Sequence, residues 1–233
     1  MPMHRTAGMI KLYNEDCMKL MARYPDKHFN LAIVDPPFGM GEHHQNNKQI
    51  ANCKGYSYGA RKKMRQWDKA PGKSYFNELF RVSKKQIIFG GNYFGLPKNR
   101  NFIVFYKSNI PDGFDFAQCE YAWTNIKGNS RIFEYYFHSK TSQNRFHPAQ
   151  KPSQLYKWLL SRYTKPGYKI LDTHLGSGTH ALACIDMGFD LTASEIDSDY
   201  FENCLKMIKK HLLQINLFPL SDGCPIPELN LFD

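Results

Sequence analysis

The 233 residues carry 42% hydrophobic, 15% aromatic and 22% charged side chains, a balance that excludes a disordered or fibrous chain and fits one large domain with a sizeable core. Thirty-one Lys and Arg against 21 Asp and Glu give a formal net charge of +10, which points to a polyanionic partner without saying which. No apolar run approaches the roughly 18 residues of a spanning helix, and the opening MPMHRTAGMIKLYNED lacks a secretory apolar core, so a cytoplasmic protein without a membrane partner is expected.

Seven segments have strand character: 10–14, 29–35, 86–90, 101–106, 119–124, 168–172 and 189–195. Between them, residues 17–24, 74–82, 153–163, 179–187 and 199–210 place apolar side chains at i, i+3 and i+4, the spacing of amphipathic helices. Alternation of this kind predicts an α/β sheet. Gly188 reads as a helix stop and Ser198 as an N-cap. Residues 41–73, with eight Lys or Arg against Glu42 and Asp68, form a long basic insertion. Residues 125–147 mix basic and aromatic side chains without a period and read as a second insertion. The six cysteines include no C-x-x-C pair and are expected to be reduced thiols. His43, His44 and His138 lack metal-ligand spacing, so no metal is expected.

Asp35-Pro36-Pro37-Phe38 closes the apolar run LAIV, placing a carboxylate at the carboxyl end of a buried strand, where open α/β sheets bind ligands. Two prolines stiffen the turn and leave the Pro36 carbonyl as a fixed acceptor, and Phe38 adds a flat apolar face. This set suits a planar ring bearing an exocyclic amino group. A second candidate site, Asp172-Thr173-His174-Leu175-Gly176-Ser177-Gly178-Thr179, follows the strand YKIL and opens a helix. Its glycines permit close backbone approach, and the helix start offers free N–H groups to an anion. Glu195 follows about 20 residues on, the spacing of an acidic side chain that accepts from ribose hydroxyls. Ala181 stands where the third glycine of a dinucleotide fingerprint would be. A nucleoside ligand without a pyrophosphate is therefore expected rather than NAD.

DPPF, HPAQKP (147–152) and DTHLGSGT, in this order, resemble the motifs of the S-adenosylmethionine-dependent amino DNA methyltransferases, in the permuted order called the beta class. The resemblance runs from Ile10 to Leu212. It implies a Rossmann-like, seven-stranded class I methyltransferase sheet in which the strands ending at Asp35 and Asp172 are neighbours. It implies one methyltransferase domain over 1–213, with recognition insertions at 41–73 and 125–147, and a tail at 214–233. The catalytic set would be Asp35, Pro36, Pro37 and Phe38. Asp172, His174, Gly176, Ser177, Gly178 and Thr179 would surround the methionine part of the cofactor, Glu195 its ribose, Asp16 its adenine and Lys151 its carboxylate. Asp35 in place of Ser favours adenine N6 as the methyl acceptor, with cytosine N4, RNA or a silent nucleic-acid-binding module as alternatives. The sequence departs from the common D-P-F in the cofactor loop, where it has Asp172-Thr173-His174.

Recognition of single- or double-stranded DNA falls to Lys54, Tyr56, Tyr58, Arg61, Lys62, Lys63 and Arg65, with Trp67, which combine phosphate-neutralising charge with stacking rings. Residues 214–218 and 228–232 resemble short peptides that dock on bacterial sliding clamps, a further expected partner besides a second copy of the chain. A place in a restriction-modification system is also compatible with the motifs.

Overall fold

The computed structural model describes residues 8–40, 68–111, 117–136, 147, 149–217 and 229–232. Its elements in chain order are β1 (Ile10–Tyr13), α1 (Cys17–Ala22), β2 (Phe29–Val34), α2 (Lys73–Val82), β3 (Ser83–Phe89), β4 (Phe102–Lys107), β5 (Cys119–Thr124), β6 (Arg131–Tyr135), α3 (Ser153–Tyr163), β7 (Lys169–Asp172), α4 (Thr179–Met187), β8 (Asp190–Ser194), α5 (Ser198–Leu217) and β9 (Leu229–Phe232). All seven expected strands are present. β6 and β9 extend the sheet to nine, in the order β6-β4-β5-β3-β2-β7-β8-β1-β9.

Helices cover both faces, which explains why the central strands read as continuous apolar runs. Alternate residues of β2 serve opposite layers: Leu31 and Ile33 join a core with Leu155 and Leu159 of α3 and Ala181 of α4, whereas Ala32 and Val34 join one with Leu20 of α1 and Leu79 of α2. In β3, Ile87 and Phe89 take the first layer and Ile88 the second. This is the period of two expected of a pleated strand.

Every pairing is parallel except those that β5 makes with β3 and β4, so β5 alone runs against the sheet. β2 and β7 lie side by side. The chain leaves β2 through α2 to β3 on one side, and leaves β7 through α4 to β8 on the other. Crossovers in opposite directions open a crevice at the carboxyl ends of these two strands, the switch point where such sheets bind ligands. Asp35 and Asp172 stand at that crevice.

Three local expectations are refined. Gly188 does end α4, in the left-handed conformation at φ 70°. The N-cap of α5 is Asp197 rather than Ser198: Asp197 Oδ1 accepts from the amides of Asp199 at 3.0 Å and Tyr200 at 3.1 Å. A carboxylate here also complements the helix dipole. Finally, residues 214–217 complete α5 and Leu229–Phe232 pair in parallel with β1 as an edge strand. Both clamp-like peptides are thus taken up in regular structure, and residues 218 and 228 lie outside the described residues.

Candidate active site

Asp35 leaves β2 directly into the crevice. Its Oδ2 is paired with Lys151 Nζ, and its Oδ1 is buried with no hydrogen-bond partner. Lys151 is only 4% exposed, reaches Glu120 Oε2 at 3.0 Å and stands over the Phe89 ring at 4.6 Å. Glu120 Oε1 in turn meets Lys107 Nζ at 2.6 Å. Four charges thus alternate in sign along Asp35, Lys151, Glu120 and Lys107. Burial pushes the Asp35 carboxyl up, against the pull of Lys151, to about 6. Burial also raises Glu120, but its two ammonium neighbours outweigh it and bring the group down to about 2. Lys151 is held above its ordinary value, because Asp35 and Glu120 overcome the effect of burial. The sequence reading gave Lys151 to a cofactor carboxylate; its ammonium is instead committed to two carboxylates of the protein.

Pro36 is buried and Phe38 half-buried beside this pair. The Phe38 ring stacks on Tyr93 at 5.2 Å and 22° and meets the edge of Phe94 at 6.3 Å. Gly90, at φ +69°, makes room for it: a Cβ there would lie 2.2 Å from the Phe38 ring. Tyr93 is half exposed, so an aromatic wall borders the acceptor group.

On the β7 side, Asp172 is 2% exposed and both its oxygens are used, Oδ1 accepting from the His174 amide at 3.0 Å and Oδ2 meeting His180 Nδ1 at 2.8 Å. Tyr156 stacks on the His180 ring at 4.5 Å. Thr173 Oγ1 lies 2.9 Å from His174 Nδ1 and 2.6 Å from the Tyr75 hydroxyl. Burial brings His174 down to about 4, so its ring is neutral near pH 7. The glycine turn then opens α4. Gly178, at φ +77°, is its left-handed cap, and a Cβ there would meet Cys204 Sγ at 2.2 Å. The Gly176 amide donates to Glu195 Oε2 at 2.8 Å, and the Asp197 amide donates to Oε1 at 2.9 Å. Ser177 Oγ lies 3.3 Å from Thr179 Oγ1, which donates to the Lys151 carbonyl at 2.8 Å. That bond ties the cofactor-type loop to the segment that carries Lys151.

Asp16 caps α1 by accepting from the Met18 amide at 2.8 Å. His147, the first residue of HPAQKP, packs edge-on against Tyr200 at 4.5 Å, with its Nδ1 accepting from the Ala149 amide at 3.2 Å. Burial, with help from Lys151, lowers it to about 4. Glu120, Lys107, Tyr75 and His180 escaped the sequence reading. Only Glu120 left a trace, as a carboxylate in the otherwise apolar and aromatic strand CEYAWT. Lys54, Tyr56, Tyr58, Arg61, Lys62, Lys63, Arg65 and Trp67 lie outside the described residues. Among the described residues no cluster of His, Cys, Asp and Glu could hold a metal ion, and no helix is long and apolar enough to cross a membrane.

Residues 116–207 match the model of a family described as DNA methylase, of the N6/N4 kind. Over this segment the chain is similar to the amino DNA methylases. A putative methylase of Escherichia coli (strain K12), YubD, is 25% identical over 210 residues, which cover 82% of this chain and 87% of that one. The methylase fold is shared with M1.HpyAVI in its SAM complex (TM-score 0.55, 20% identity, 85% of this chain and 100% of that one). It is shared equally with the cytosine-N4-specific PvuII DNA methyltransferase (TM-score 0.56, 13% identity, 97% and 96%). A putative DNA modification methylase of Thermus thermophilus, TTHA0409, complexed with S-adenosyl-L-methionine, aligns with a TM-score of 0.55 at 14% identity, over 97% of this chain and 98% of that one. The architecture is the Rossmann-like class I methyltransferase fold.

Proposed function

We propose that the protein transfers the methyl group of S-adenosylmethionine to an exocyclic amino group in DNA, adenine N6 in preference to cytosine N4. The observation that carries this reading is the Asp35 carboxylate: one oxygen is held by Lys151 and the other is buried without a partner at the switch point. A buried acceptor left open costs roughly 1–3 kcal/mol, a cost that an N–H of the substrate would remove.

The residues present fit the cofactor. The loop turns left-handed at Gly176 and Gly178, where an added Cβ would press on the His147 ring or on Cys204 Sγ, the start of α4 suits a carboxylate, and Glu195 retains lone pairs beyond its two backbone bonds for ribose hydroxyls. Asp172, His174, Ser177 and Thr179 shape that loop, and Asp16 borders it from α1. When bound, S-adenosylmethionine supplies an electrophilic sulfonium methyl. Asp35 and the Pro36 carbonyl accept the two N–H bonds of the amino group, which turns its lone pair out of conjugation and toward the incoming methyl. Pro37 holds this turn rigid, and Phe38 stacks on the base once it leaves the duplex. Catalysis is then positioning and directed hydrogen bonding.

The second reading, cytosine N4, is supported by the likeness to the PvuII enzyme. One experiment separates these readings: incubation of the protein and Asp35→Ala with methyl-labelled S-adenosylmethionine and single-stranded DNA, duplex DNA or RNA, followed by mass spectrometry of the nucleosides. Label in N6-methyldeoxyadenosine that vanishes in the variant is the expected result. N4-methyldeoxycytidine, a methylated ribonucleoside, or no label with cofactor still bound would replace it with cytosine N4, RNA or a silent binding module.

DNA contact through residues 54–65 belongs to the same proposal, as do a cytoplasmic setting, a restriction-modification role and a dimer, the last measured by sedimentation. Clamp docking does not. It would require α5 or β9 to surrender backbone hydrogen bonds already made.

A further inference from the structure

β5 is the one reversed strand of the sheet, and this reversal has a chemical consequence. Its first residues lie at the end where its neighbours finish. Ala122 pairs with Phe89, the last residue of β3, so Glu120 stands two residues beyond, at the mouth of the crevice. On the other side Glu120 is opposite Phe105, near the end of β4 that carries Lys107. A parallel strand would bring its last residues there, not its first.

A buried Lys151–Asp35 pair is already neutral. A second carboxylate taken out of water costs several kcal/mol unless it is paired and hydrogen-bonded, and Glu120 is both, through Lys151 and Lys107. Three separate segments of chain therefore converge to seat one ammonium. We propose that Glu120, neutralised by Lys107, is a positioning residue: it fixes the Lys151 ammonium on one oxygen of Asp35, so that only the other oxygen faces the substrate amino group. This rests on the methyl-transfer reading above. Without Glu120 the four-carbon stem of Lys151 leaves its head free to swing onto either carboxylate oxygen, and the acceptor loses its fixed direction.

The groups that face Asp35 are Lys151, Glu120, Asp172, Tyr75 and Tyr156, and those that face Glu120 are Lys151, Lys107, Asp35 and Tyr156. Glu120→Gln keeps an acceptor for Lys151 but removes one negative charge beside Asp35 and leaves Lys107 uncompensated. Both changes favour ionised Asp35. Glu120→Ala removes the tether itself.

The test measures kcat and KM against pH for the full chain, Glu120→Gln, Glu120→Ala and Glu120→Asp, with cofactor binding and thermal unfolding as controls. Glu120→Ala is expected to lower kcat on the order of 10²-fold, the scale of a misplaced catalytic group, with cofactor affinity unchanged. Glu120→Gln should hold kcat within a few-fold and move the acid limb to lower pH, and Glu120→Asp should recover part of the alanine loss. A second readout is independent of turnover: the 13C NMR titration of the Asp35 carboxyl, assigned through its loss in Asp35→Asn. Should the chain transfer no methyl group, the reading of its function fails, yet a lower Asp35 titration in Glu120→Gln would still support the tether. An Asp35 titration identical in the full chain and Glu120→Gln would overturn it, as would a kcat unchanged in Glu120→Ala. If Glu120→Ala does not fold, Glu120→Gln decides.

Discussion

The Tyr75 hydroxyl on α2 lies 2.6 Å from Thr173 Oγ1 in the loop after β7, so the helix behind β2 is bolted to the cofactor-type loop. Thr173 also meets His174 Nδ1 at 2.9 Å. This chain of bonds explains the departure from D-P-F in the loop. A proline at 173 has no hydroxyl for Tyr75, and a phenylalanine at 174 has no ring nitrogen. Thr173→Val is expected to strand the buried Tyr75 hydroxyl and destabilise the fold by about 1–3 kcal/mol. Tyr75→Phe in that background should recover part of the loss. Denaturant unfolding of the two single variants and the double variant measures the coupling, and additive effects would show that the two hydroxyls do not depend on each other.

Asp35, raised by burial to about 6, is the stronger acceptor when ionised; protonation turns one of its oxygens into a donor and weakens its hold on the amino N–H. kcat/KM is therefore expected to climb about tenfold per unit below pH 6 and to level above it. Lys151→Met removes the charge that opposes burial, so its acid limb moves to higher pH. The pH profile of initial rates checks both; a flat profile from pH 5 to pH 8 would separate Asp35 from the rate-limiting step.

The motifs at Asp35 and Asp172 could be placed from the sequence because each depends on local features: an apolar run, a stiff or glycine-bearing turn, and the start of a helix. The adjacency of their strands followed from the resemblance. Glu120 could not be placed in this way. Its role depends on the reversal of β5, which brings it beside a lysine 31 positions away only in three dimensions. The carboxylate partners of Lys151 were hidden for a related reason, since sequence order says nothing of the carboxylate at 120. β6 and β9 were missed because edge strands of five and four residues lack the long apolar run of a strand covered on both faces.

Acid should weaken the fold through its two buried rings. His147 and His174 are each lowered from 6.5 to about 4, so the folded state holds them neutral while the unfolded chain protonates them. Their contribution is present above pH 6.5 and is lost as pH falls toward 4, with an upper bound of about 3 kcal/mol for each ring at full protonation. Asp35 acts in the opposite direction. Its raised value gives stability below pH 3.8 that disappears as pH rises through 6; Glu195, also raised by burial, acts with it, whereas Glu120, held down to about 2, adds to the loss in acid. Urea midpoints should drop between pH 6.5 and 4, and His174→Asn should flatten that drop.

Gly178 is constrained twice, by its backbone at φ +77° and by Cys204 Sγ at 2.2 Å from any added Cβ. Gly178→Ala is expected to cost about 1–2 kcal/mol in backbone strain and to shift the start of α4, which weakens cofactor binding in calorimetry. Cys204→Ala removes the contact but not the strain. The double variant should recover stability in part only, and full recovery would assign the whole effect to the sulfur.

The basic segment outside the described residues is tested through salt. If Arg61, Lys62 and Lys63 each neutralise one phosphate, replacing all three by Ala lowers the slope of log K against log salt by about 2.7 on duplex DNA and about 2 on single strands, at roughly 0.9 and 0.7 per contact. Cofactor affinity and the acid limb set by Asp35 should not move, because those depend on the crevice between β2 and β7. The comparison also reports strand preference: the nucleic acid whose slope falls by its full expected amount is the one these residues engage. Titrations by fluorescence anisotropy between 50 and 200 mM salt decide it, and an unchanged slope on both substrates would assign DNA contact to residues elsewhere on the chain.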